Sequence, residues 1–315
     1  MKALCKCLHD GVRPMNNQNR ASVRCLSHKE CTRDKAEGGR HKTVHAYSAD
    51  TYCEDSDVDT HVNLGFFYLE QGKPEEALIC FNRVIELEPN NPEAYNNMGY
   101  VHETMDRLFA ALYMYQNALA LDEKNVEALI NIAHIRDLES DYHGALQYYK
   151  TALAIEPDNV NAHFCLGVLY DRYDMFDEAV HQYRRVLDRD PSHRKAIFNL
   201  SNLYIQTGND HAAIELLKLL LDRDPDYAEA WNNIGSLYEE LGQIDMALSA
   251  CQQCLKLRPM QIEANMNLAR IQYGLWKSDD NRYCKEEIMN RLKFVLSLDP
   301  LSEQAKNLLE RVLVS

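Results

Sequence analysis

The sequence predicts an all-α solenoid of about seven helical hairpins, closed by a C-terminal capping helix. Three residue columns predict it, each recurring every 34 positions. The first is small: Gly65, Gly99, Ala133, Gly167, Ser201, Gly235 and Ala269. The second lies twelve places later and is alanine at 77, 111, 145, 179, 213 and 247. The third is Pro89, Pro157, Pro191, Pro225 and Pro259, with Glu123 as its exception. A fixed period of this length marks stacked helix-turn-helix units.

The physics of one unit is simple. Two amphipathic segments flank a short polar turn such as Gln71-Gly72-Lys73-Pro74. Small residues, expected to face each other, let the two backbones approach closely. Larger ones fill the space around them: Leu64, Tyr68, Phe81 and Val84 in the first unit. A proline after the second helix cannot continue it, so the chain turns. One hairpin cannot bury its apolar face alone, and stacking buries it. Gly167 is therefore expected where two helices touch.

These columns resemble the tetratricopeptide repeat (TPR) family over about residues 58–314. The resemblance implies a right-handed superhelix, and a peptide- or protein-binding scaffold rather than one particular partner.

Taken in order, residues 1–57 match no repeat. They are rich in Asn, Ser, Arg, Lys and His, and a solvated, disordered tail is the preferred reading. Three sharper readings compete with it. Cys5 and Cys7 offer S-palmitoylation sites. Residues 1–29, with six basic residues and one acidic, have the charge of a mitochondrial presequence. Cys25-x-x-His28-x-x-Cys31 with His41 and His45 has zinc-binding residue types, but its spacing fits no common finger. The repeats occupy 58–302. Asp57 or Asp59 is expected to cap the first helix. Glu123 in place of proline suggests a slightly softer junction after repeat two. Cys251 and Cys254 form a Cys-x-x-Cys on an inward helix face, with no second pair to complete a metal site. Repeat seven is seven residues too long. The surplus is assigned to an enlarged turn around Ser278 to Tyr283. Residues 303–315 read as the cap, with Ala305, Leu308, Leu309 and Val312 on one face.

Charge narrows the partners. The tail is +2, whereas residues 58–315 carry 24 basic and 40 acidic residues, a net of −16. Such an array repels a nucleic-acid backbone and suits a neutral or basic protein segment. No apolar run has the length of a membrane span, and no secretory signal is visible. Scattered cysteines without paired spacing suggest reduced thiols, and a cytoplasmic location is expected, with nucleus, cilium and mitochondrion compatible. A basic tail beside acidic repeats is expected to compete weakly for the binding groove. Deleting residues 1–56 should then tighten peptide binding at low salt, and unchanged affinity would count against that competition.

No catalytic motif is present: there is no phosphate-binding glycine loop, no His-Glu-x-x-His and no nucleophile elbow. No enzyme activity, metal or cofactor is expected. The candidate binding residues lie on the first helices. Two places before the small column stand Asn63, Asn97, Asn131, Cys165, Asn199, Asn233 and Asn267. A carboxamide both donates and accepts, so a ladder of them can hold an extended backbone of any sequence. This is similar to the asparagine ladder in the superhelical TPR region of O-linked N-acetylglucosamine transferase, whose catalytic domain has no counterpart here. The competing reading is that these amides cap or bridge neighbouring helices. Further along the same helices Glu103, Asp137, Asp171 and Glu239 suggest a negative wall. Replacing Asn97, Asn131 and Asn199 together is expected to weaken binding with little effect on folding. A carboxylate clamp like that of TPR co-chaperones needs a lysine that the corresponding column (Val62, Asn96, Ile130, Phe164, Phe198, Asn232, Met266) lacks. The expected function is a non-catalytic scaffold binding an extended partner segment. The runner-up is an adaptor or targeting subunit of a larger complex, such as a glycosyltransferase assembly or ciliary transport. A fragment of a larger TPR-containing enzyme is the third reading.

Overall fold

The computed structural model describes residues 57–278 and 282–314. Among them are fifteen helices and no strand. The hairpins are α1 (Val58–Glu70) with α2 (Pro74–Leu87), α3 (Pro92–Thr104) with α4 (Leu108–Leu121), and α5 (Val126–Leu138) with α6 (Tyr142–Ile155). Next come α7 (Val160–Arg172) with α8 (Phe176–Arg189), and α9 (Arg194–Gln206) with α10 (Asp210–Arg223). The series ends with α11 (Ala228–Glu240) and α12 (Ile244–Leu257), α13 (Ile262–Lys277) and α14 (Lys285–Leu298), then α15 (Glu303–Val314). The fold is an all-α repeat solenoid. Its helices group into two compact units, one running to Pro157 and the other from Asp158.

Side-chain caps start the first helices α1, α3, α5, α7 and α9, whereas α11 and α13 have none. Asn91, Asn125 and Asn159 each accept the backbone N–H three residues on, at 3.1, 2.8 and 2.9 Å. Asp57, rather than Asp59, caps α1 and accepts from the Asp59 N–H at 3.3 Å. Such a cap contributes about 1 kcal/mol. The junction after repeat two closes without proline, because Asp122 accepts from the backbone of Lys124 and Asn125 caps α5.

Six hairpin turns share a left-handed residue at one register: Gly72, Asp106, Ser140, Asp174, Gly208 and Gly242. Half of these positions pay no steric penalty because they are glycine; Asp106, Ser140 and Asp174 carry a Cβ at φ 57–63°. Ser140→Gly should therefore stabilise the first unit by about 0.5–1 kcal/mol, read as a rise in urea midpoint at constant slope. A lower midpoint would refute the strain at Ser140.

The close helix approach differs from the expected meeting of two small columns. What meets each glycine first is the side chain sixteen positions on. A Cβ built at Gly65 would lie 2.7 Å from the Phe81 ring, one at Gly99 2.4 Å from Tyr115, and one at Gly167 2.8 Å from Tyr183. Tyr115 and Tyr183 are fully buried and cannot swing aside. Each ring lies over the bare backbone of the first helix.

Repeat seven divides its surplus. Helix α13 has 16 residues against 13 in α1, so three of the extra residues extend the helix. The other four fall between Lys277 and Lys285, and the enlarged turn expected around Ser278 to Tyr283 lies partly outside the described residues. Ile288, Leu292 and Val295 of α14 pack with Ala305, Leu308 and Val312 of α15, so α15 covers the terminal hairpin.

Candidate functional site

Alternate helices meet on the first-helix side: α3 with α5, α11 with α13, and α13 with the cap α15. The asparagine column lies on this layer. Asn131 Nδ2 donates to Asn96 Oδ1 of the preceding repeat at 3.0 Å. Asn233 Nδ2 donates to Asn202 Oδ1 at 2.7 Å. Asn267 Nδ2 donates to Asn232 Oδ1 and Ser236 Oγ, at 3.2 and 2.9 Å. These amides bridge neighbouring first helices and, in the second unit, form a polar strip from α9 to α13. Asn199 instead donates to the buried Tyr183 hydroxyl at 3.2 Å.

The sequence carries the signal for these bridges. The partner stands 31 or 35 positions earlier. For Asn131, Asn233 and Asn267 that register offers an amide or a hydroxyl. For Asn97 it offers Val62 and Phe66, and for Asn199 Phe164 and Val168, whose side chains accept nothing. Asn63, in the first described hairpin, is exposed; Asn97, Asn131 and Asn199 are buried, and Asn233 and Asn267 are half-buried. Cys165, the odd member, is buried. Asn131 and Asn199 are buried and hydrogen-bonded inside the array, so truncating them is expected to cost stability as well as binding.

The acidic positions also have internal work. Glu103 accepts the Tyr115 hydroxyl at 2.8 Å and lies 3.4 Å from His134 Nε2 of the next repeat. Asp137 and Asp171 hold the same register relative to Tyr149 and Tyr183. Burial, then the nearby Asp171 charge, pushes the Tyr183 hydroxyl far above the usual range. Where Phe81 or Leu217 stands in place of the tyrosine, the residue twelve earlier is Leu69 or Ile205, so acid and tyrosine travel together from repeat to repeat. Glu239, whose hairpin has Cys251 in that place, forms two bonds of 2.7 Å with Arg270 of the next repeat. Asp171 is half-buried, and burial followed by the Asp174 charge raises its pKa.

Cys251 and Cys254 are both fully buried, and burial pushes their thiols up to about 12 and about 11. Neither is a reactive thiolate near neutral pH. Among the described residues no group of three metal-ligating side chains converges. The candidate Cys/His zinc set, the palmitoylation sites and the presequence reading lie outside the described residues. Helix α4 is one feature the sequence reading passed over. Alone among the second helices it has no charged residue, and it exposes Phe109 and Tyr113 at 88% and 60%.

Three sequence-family models match this architecture. One, described as TPR repeat, covers residues 65–106 and 139–172. Two described as tetratricopeptide repeat cover residues 172–237 and 228–260. Together they take in about half of the chain. The chain belongs to the tetratricopeptide repeat family.

Solved structures agree with the TPR assignment at the level of fold. PilF of Pseudomonas aeruginosa superposes with a TM-score of 0.60 at 20% identity, covering 68% of this chain and 97% of PilF. A tetratricopeptide repeat protein from Parabacteroides merdae gives 0.54 at 19% identity, covering 81% of this chain and 98% of its own. Comparison with curated proteins gave no match. TPR proteins are generally non-catalytic repeat scaffolds, and the repeats here support a protein-interaction scaffold in general terms. Among its described residues no helix is long and apolar enough to cross a membrane.

Proposed function

We propose that this TPR protein is a non-catalytic scaffold that binds an extended, neutral or basic segment of a partner along its first-helix layer. The polar strip of bridging amides carries the reading. With Nδ2 committed to a neighbouring helix, Asn233 Oδ1 and Asn267 Oδ1 accept from Asn232 Nδ2 and Arg270 Nη2 at 3.4 and 3.2 Å, and each keeps a second lone pair for a ligand backbone N–H. The amides are thereby held in one orientation before a ligand arrives, which lowers the cost of ordering them. Net charge adds long-range attraction for a basic segment, reaching about 8 Å at physiological ionic strength.

The test separates binding from folding. Asn63 and Asn97 make no inter-repeat bridge, so Asn63→Ala with Asn97→Ala should leave the melting temperature nearly unchanged. At about 0.5–1.5 kcal/mol for each lost bond, the double variant should bind a partner captured by the full chain about 1–3 kcal/mol more weakly by calorimetry. Asn131→Ala, which leaves the buried Asn96 oxygen without its donor, should instead lose about 1–3 kcal/mol of stability. Parental affinity in this double variant, and in Asn233→Ala with Asn267→Ala as a folded protein, would remove the first-helix layer as the binding surface.

One observation favours the adaptor reading: the charge-free, exposed face of α4. Under that reading Phe109→Ser with Tyr113→Ser releases the partner while the asparagine variants retain it.

A further inference from the structure

Repeat seven holds a cleft beside the start of α14. It has a volume of about 660 Å³ and lies entirely within the second unit, with walls from α12, α13 and α14. Leu268, Tyr283 and Phe294 supply apolar surface, and Arg291 supplies a guanidinium. Aligned through the terminal proline, Arg291 occupies the position of Cys80, Met114, Tyr148, Gln182, Leu216 and Ala250. It is the only charged residue in that column.

Arg291 is held in place but left without a counter-ion. Its Nε donates to Gln272 Oε1 at 3.1 Å and its Nη1 to Asn265 Oδ1 at 2.9 Å. Asn265 is fixed in turn, because its Nδ2 donates to the carbonyls of Pro259 and Gln261, both at 2.9 Å. Both acceptors on Arg291 are neutral amides. Among the described residues no carboxylate lies within ion-pair distance of it, and its Nη2 has no acceptor. Glu287, on the rim, is turned to the start of α14, where it accepts the Cys284 N–H at 3.0 Å. The turn is tied to α12 by Arg282 and Asp245 at 2.6 Å, and Tyr283 packs on the core beside it. Burial lowers the Arg291 pKa, and the nearby Tyr283, Cys251 and Glu287 oppose that shift only in part.

We propose that this cleft binds the side-chain carboxylate of an acidic residue in a partner peptide, with a neighbouring apolar or aromatic side chain against Leu268 and Phe294. A half-buried, hydrogen-bonded guanidinium with a free edge is pre-organised for the planar carboxylate fork. A carboxylate fits better than a phosphate for two reasons. One guanidinium balances one negative charge, and Glu287 with the acidic array disfavours a dianion. The cleft is separate from the first-helix layer, and this inference does not rest on the function proposed for that layer. It gives the scaffold a second, oppositely charged reading point at its last repeat.

The experiment follows the arginine Nε–Hε resonances of the full-length chain by NMR, with Arg291 assigned through bonds. The probes are acetyl-Phe-Glu-amide, the isosteric acetyl-Phe-Gln-amide, and inorganic phosphate. The expected result is a saturable shift at Arg291 with the glutamate peptide, at least tenfold weaker with the glutamine peptide. Arg291→Lys, which keeps the charge and loses the fork, should weaken the glutamate peptide about tenfold. If that variant fails to fold, the titration of the parent chain decides alone. No saturable shift, equal response to the two peptides, or tighter binding of phosphate would each overturn the proposal.

Discussion

Gly99→Ala should unfold at a lower temperature than the parent chain, losing about 1–3 kcal/mol through overpacking against Tyr115. The added carbon would sit 2.4 Å from a ring that is itself fully buried. The same change elsewhere in the column should cost less, in the order of the available space. At Gly167 the nearest ring atom is 2.8 Å away, and at Gly235 the nearest atom is the Cys251 sulfur at 3.2 Å. The better helix propensity of alanine, worth about 1 kcal/mol, offsets the contact at Gly235 and leaves that variant near neutral. Gly167→Leu should destabilise by about 3 kcal/mol, while Glu178→Gln, on the exposed face of α8, changes little. Equal melting temperatures for Gly99→Ala and Gly235→Ala would refute the ring-over-glycine packing.

Raising the pH from 5 to 8 should weaken the first unit through Glu127. Burial raises its carboxyl from the ordinary 4.5 to about 7, and the Glu93 and Glu156 charges add to the shift. A carboxyl with a higher pKa folded than unfolded holds more protons in the folded state. Stability is then lost as pH rises from 4.5 to about 7 and stays lost above it. After allowance for solvent screening the loss is about 2 kcal/mol. Glu127→Gln should remove that slope and be the more stable protein at pH 8, by urea unfolding across the pH range. A variant with the parent's pH profile would show that Glu127 ionises freely.

Much of this architecture was legible from spacing alone. The period located every hairpin, because burying one face of each helix forces apolar and small residues to recur in register. It located the surplus in repeat seven, but not its division. Whether a residue extends a helix or joins a turn depends on what the next helix offers for packing, and α13 continues to Lys277. The asparagine column was legible as a pattern, and its internal use was not. A residue number shows that Asn131 is polar. Only the stacking distance between first helices shows that its amide reaches Asn96. The same holds for the acidic positions. Glu103 reads as surface charge until the fold places the Tyr115 hydroxyl 2.8 Å away.

The sequence by itself therefore determined the helices, their number and the family, since these follow from local periodicity and from residues that permit or forbid close backbones. The tertiary structure decided which polar groups are spent inside the array and which remain for a partner. Hydrogen bonds and desolvation depend on distances between repeats more than thirty residues apart. Arg291 is the clearest case. In the sequence it is one arginine among many charges; in the fold it is half-buried and anchored by two amide oxygens, with no carboxylate among the described residues within ion-pair distance.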